Sequence, residues 1–213
     1  MIMFLQKKLP YSRHNVVLYL IGINVVVFFL TSLSRQFQLS MAMTPIAVIE
    51  YGYYWQLVTY MFTHASFSHI LFNMLALFIF GQHLEERLGS WEFLLYYMFV
   101  GILVGLISLA FYWYTGSPQV SLLGASGAIY GVMLGFATFY PTARIFIWGL
   151  IPVRAPILVL GYTVIEVYSQ LASYNSNVAH FSHLAGFLFA YLYFLVRLRI
   201  NPIDRFFPPK RYR

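Results

Sequence analysis

The chain has 213 residues, of which 61% are hydrophobic, 20% aromatic and only 9% charged. Soluble domains carry about a quarter charged residues, so this composition excludes an ordinary soluble protein and describes one that lives in lipid. The net charge of +7 does not point to nucleic acid, because the basic residues sit beside apolar runs, as orientation signals do; the lack of cysteine excludes disulfides and thiolate metal sites.

A helix needs ~20 mostly apolar residues to cross a bilayer, and six stretches are candidates: 16–33, 67–82, 93–114, 122–140, 155–172 and 178–198. Lys7 and Lys8 ahead of the first give it the look of a signal peptide. The run exceeds the usual ~7–15-residue apolar region and its Ser32-x-Ser34 end is a poor cleavage site, so it reads as an uncleaved span. The second stretch is short and needs its polar first turn, around His69, to reach across. Pro141, Pro152 and Pro156 punctuate the connection between the fourth and fifth, where 144–152 is too short for another span. With six spans, all 13 Lys and Arg except Arg35 fall on one side, which places both termini in the cytoplasm. The expectation is an all-α membrane protein, a six-transmembrane-helix bundle forming one domain over 1–213.

Polar side chains inside spans are costly and usually face the bundle interior. Here they are His69 and Asn73 in the second span, Ser126 in the fourth, Glu166 in the fifth and His183 in the sixth. The even-numbered spans all run from outside to inside, so His69, Asn73, Ser126 and His183 come out at one depth near the outer side. His69 and Asn73, spaced i, i+4, share a face. Gly127, Gly131 and Gly135 make a small stripe beside Ser126, and His183, Gly186 and Ala190 make another. Two such faces let backbones approach closely, which would bring the Ser126 hydroxyl to the His183 imidazole, the geometry of an activated serine. Taken singly, a serine among glycines is a packing device, an edge histidine an interfacial residue, Asn73 an interhelical staple and Glu166 half of a structural or gating pair. Together, at one depth, they favour a site.

The residues at this site resemble those of rhomboid intramembrane serine proteases. GASG (124–127) is similar to their nucleophile motif, HASFSHILFNM (64–74) to their second-span His-x-x-x-Asn motif, and HFSHLAG (180–186) to the segment with the catalytic histidine. LEERLGS (84–90) and YYWQLVTYMFTH (53–64) match too, so the similarity runs through almost the whole chain. It departs at Gln56, where the family often has arginine after the tryptophan, a change that could alter loop docking against lipid. It departs again at Ala190, where a second glycine is common.

The resemblance implies that Ser126 is the nucleophile and His183 its base, with His69, Asn73 and the clearance at Gly124 in the oxyanion and substrate-binding region. It implies cleavage of transmembrane segments of other proteins near their outer ends, with the fifth span and its following loop as the gate; the polar residues Ser173, Asn175, Ser176 and Asn177, just before the sixth span, read as a lid. With no acidic residue beside His183 other than Glu166 as an outside possibility, the expectation is a Ser–His dyad whose ring is held by packing, Tyr130 lying under the imidazole. His180 shares a face with His183; the depth of His183 and its small stripe favour it as the base. No cofactor or metal is expected, no nucleic acid partner, and the setting is the lipid bilayer of a bacterial or archaeal cell membrane. An inactive rhomboid-like binding or quality-control protein and a small channel or transporter are the alternative classes.

Overall fold

The computed structural model describes residues 9–147, 149–172 and 177–207. Four of its helices are long and apolar enough to cross a membrane: α1 (Val16–Leu33), α5 (Phe67–Leu88), α6 (Ser90–Tyr114) and, within α9, His180–Leu198. Two shorter apolar helices join them, α7 (Ser126–Phe139) and α8 (Ala155–Ala172). Short helices α2 (Arg35–Met41), α3 (Pro45–Ile49) and α4 (Gln56–Thr59) fill the segment after α1, and α10 (Pro202–Phe206) follows α9. α9 runs from Asn177–Tyr193 into a π-helical turn at Phe194–Leu198, and α5 contains a similar turn at Leu77–Gly81. The exterior carries many large apolar side chains, among them Phe29, Phe72, Leu106 and Val164, as a lipid-facing surface requires.

α1 has the bounds that hydropathy gives it. The fourth run does not: residues 122–125 are not helical, because Leu122 exchanges backbone hydrogen bonds with Met43 at 2.8 and 2.9 Å. The helix therefore begins at Ser126, and the serine opens α7 instead of lying a turn inside it. The all-α expectation also needs correction. Residues between α7 and α8 form a small antiparallel hairpin, β1 (Arg144–Ile147) with β2 (Ile151–Arg154), whose alternating pattern is too short to register as a span.

α7 is buried along most of its length. Its glycine stripe meets α9 closely: a Cβ placed on Gly186 would lie 2.1 Å from the Gly127 carbonyl oxygen, while one on Gly131 would lie 3.3 Å from the Ala190 methyl. Only glycine fits at 186, whereas the Ala190 methyl is accommodated against Gly131. α6 seals the other side, where the Tyr96 hydroxyl donates to the Gly131 carbonyl at 2.6 Å and Phe111 stacks on Phe181 of α9.

Two polar devices fasten the opposite end. Glu85 of α5 is buried, and its carboxylate accepts the Val16 and Val17 N–H groups of α1 at 2.7 and 2.9 Å. The cap residue Asn15 makes no such bond, so the distant carboxylate satisfies donors that a helix start leaves open. Ser90 completes this clasp, donating to Glu85 and accepting from the His14 N–H. Glu92 of α6 is gripped by two guanidinium nitrogens of Arg197 and by the Tyr193 hydroxyl, both near the end of α9.

Candidate active site

The approach to Ser126 is shaped by the segment between α1 and α5. Besides the Met43–Leu122 pairing, Gly124 N–H donates to the Tyr60 carbonyl at 2.9 Å, and the Thr44 and Ser121 hydroxyls pair at 3.0 Å. Gln56 helps hold this segment from within. It is buried, its carbonyl accepts the Thr44 N–H, and its amide donates to the Leu39 and Ser40 carbonyls. Gln56 thus works inside the loop, not against lipid; Trp55 beside it is the exposed member, stacked on Tyr53.

Ser126 opens α7, so its N–H is among those with no acceptor in the helix. Its hydroxyl oxygen lies 2.8 Å from His183 Nε2 on α9. The close α7–α9 packing one residue away, at Gly127 and Gly186, makes that distance possible. Tyr130, one turn along α7, lies parallel to the imidazole at 4.2 Å between centroids and 9° between planes. On the facing wall, Ser66 caps α5 by accepting the His69 N–H at 3.2 Å, and Asn73 donates one amide hydrogen to the His69 carbonyl at 3.0 Å. A primary amide has two such hydrogens, so a second remains for a ligand. The His69 ring is edge-on to His64 and against Gly124, where a Cβ would stand 2.7 Å from its Cε1 and where φ is +112°. Glycine at 124 is required on both counts. Buried His64, in the loop before α5, is pulled down to about 4 by burial and then by neighbouring His69, which keeps it neutral.

These side chains border one cavity of about 740 Å³, lined by His69, Asn73, Ser126, Tyr130 and His183 together with apolar Phe72, Ile129, Met133 and Tyr162. It combines a hydroxyl, an imidazole in contact with it, and amide and imidazole groups across a gap, with apolar walls on which a substrate side chain could rest. Of the residues expected to form a lid, Ser173, Asn175 and Ser176 lie outside the described residues, and Asn177 opens α9.

The expectation that packing alone holds the His183 ring is corrected. Glu166 of α8 is buried, and its Oε1 lies 3.0 Å from His183 Nδ1. The same oxygen accepts the Tyr130 hydroxyl, and Oε2 lies 2.5 Å from His180 Nδ1. Glu166, expected as half of a structural or gating pair and beside His183 only as an outside possibility, is in contact with that ring. The available signal was a carboxylate in an apolar run, on a span crossing in the opposite sense, with a second histidine one turn before His183.

The Rhomboid domain family matches residues 51–200, well over half of the chain. The chain belongs to the rhomboid family. YdcA of Bacillus subtilis is 34% identical over 146 residues, 66% of this chain and 68% of its own length. Rhomboid-like protein 11 of Arabidopsis thaliana, named as chloroplastic, is 27% identical over 192 residues, covering 84% of this chain and 64% of the relative. Rhomboid protease GluP of Bacillus subtilis is 39% identical over 87 residues, 41% of this chain but only 16% of its own length. This rhomboid is thus a mostly helical, multi-pass membrane protein that spans part of the length of its relatives. All the motifs quoted from the sequence fall inside the matched region.

Proposed function

We propose that this rhomboid is an intramembrane serine endopeptidase that cuts transmembrane segments of other membrane proteins near their outer ends. The observation that carries the reading is the 2.8 Å contact between the Ser126 hydroxyl and His183 Nε2 on the wall of the cavity. Ser126 Oγ attacks the scissile carbonyl carbon while its proton passes to Nε2. The oxyanion is met by the free Asn73 amide hydrogen, by His69 and by the Ser126 N–H. Collapse breaks the C–N bond, His183 protonates the leaving amine, and water then releases the acyl group by the same route in reverse. Gly124, lacking a Cβ, leaves room for the His69 ring to sit against the segment leading to Ser126.

The setting is a six-span bundle over 1–213 with both termini in the cytoplasm of a bacterial or archaeal cell. α8 serves as the gate.

A serine-directed phosphonate tests it. The wild-type chain should label and cleave a transmembrane substrate, whereas Ser126→Ala and His183→Ala should fold, fail to label and lose turnover. Cleavage near the wild-type rate by Ser126→Ala would end the reading, and a wild-type chain that never labels would favour the inactive, binding-only alternative.

A further inference from the structure

We propose that Glu166 is a positioning residue for His183 and that His180 anchors it, so that a chain His180–Glu166–His183–Ser126 ends on the nucleophile. The proposal rests on the protease reading above and adds what sets the direction of its proton. Glu166 engages both oxygens. Oε1 faces His183 Nδ1 and the Tyr130 hydroxyl, and Oε2 faces His180 Nδ1. An ionised carboxylate accepts and cannot donate. A neutral His183 beside it therefore carries its proton on Nδ1, which leaves Nε2 bare toward Ser126. That is the tautomer a general base needs; the other presents an N–H to the hydroxyl and cannot take its proton.

The same contact acts later in the cycle. When Nε2 receives the Ser126 proton, a cation forms in a site of low polarity, where a carboxylate 3.0 Å away has large electrostatic leverage. The proton stays on His183 until it goes to the leaving amine, and Glu166 receives none. His180 and Tyr130 prevent the carboxylate from turning away. Tyr130 acts twice, fixing the ring plane by stacking and one carboxylate oxygen by its hydroxyl. The groups facing His183 are Ser126 and Tyr130 from α7, Glu166 from α8 and, across the cavity, His69 from α5. Among the described residues, Glu166 is the only carboxylate facing His183.

The chain also joins helices. Its carboxylate comes from α8, most of whose other side chains point outward, and its donors come from α7 and α9. Movement of α8 away from the bundle would therefore remove the proton-directing group from His183.

The test compares wild type, Glu166→Gln, His180→Ala and Ser126→Ala, each as the full chain, on one transmembrane substrate. An amide in place of the carboxylate beside a catalytic histidine costs up to ~10⁴ in kcat in the serine protease triad. Glu166→Gln should lose about 10²–10⁴ in kcat with KM nearly unchanged, and His180→Ala roughly tenfold. In ¹⁵N spectra of histidine-labelled protein, His183 should be protonated at Nδ1 in wild type and lose that preference in Glu166→Gln. Wild-type kcat in Glu166→Gln, a loss confined to KM or to the folded fraction, or a wild-type His183 protonated at Nε2 would each overturn the proposal. The last needs no variant to fold. Turnover by Ser126→Ala would instead sink the protease reading, while the tautomer measurement would still judge Glu166.

Discussion

Asn73 uses one amide hydrogen on the His69 carbonyl and keeps the other toward the cavity. Replacing it should therefore separate two roles. Removing one oxyanion donor typically costs up to ~10³ in kcat, so Asn73→Ala should fall by roughly 10–1000-fold at equal folded protein, with a modest drop in melting temperature from the lost intrahelical bond. Unchanged turnover would reduce Asn73 to a staple of α5. At this scale the candidate site was legible because each of its groups is polar, or stacked beside one, inside an apolar run, and because span direction fixes depth. What depth leaves open is rotation about a helix axis. Glu166 sits at a readable level, but whether it faces lipid or His183 depends on how α8 packs, and no residue spacing within α8 states that.

Among the elements, the α7–α9 contact carries the tightest constraint. A methyl on Gly186 would stand 2.1 Å from the Gly127 carbonyl oxygen, which belongs to fixed backbone. Gly186→Ala should push the helices apart, at about 1–3 kcal/mol of overpacking. It should also lengthen the Ser126–His183 contact one residue away, and a misplacement of ~1 Å can cost about 10² in rate. Thermal unfolding and kcat measured on the same preparation check both parts; a drop in stability with full turnover would mean that the serine and histidine are held by something other than this packing. Hydropathy found α1 to the residue, since a long apolar helix is defined by its own composition. It misplaced the start of α7, which is decided by pairing with Met43, far away in sequence. It also left the hairpin unassigned, since four-residue strands with alternating exposure carry too few apolar positions to distinguish them from a loop.

For the whole molecule, the absence of cysteine makes sidedness directly measurable. Single cysteines at exposed Gln36, in α2, and Thr142, before the hairpin, should react with a membrane-impermeant maleimide from opposite sides of sealed cells. Gln36→Cys should label from outside and Thr142→Cys only after lysis. Labelling of both from one side would overturn the six-span arrangement and, with it, the common outer depth of the site.

The carboxylate clasp on α1 has a consequence in time as well as in space. Glu85 lies 69 and 68 positions beyond the two N–H groups it satisfies. During synthesis this carboxylate is therefore not available to α1 until α5 has been made, with Ser90 following. The LEERLGS segment acts as a latch that ties α1 to α5 before α7, α8 and α9 are made.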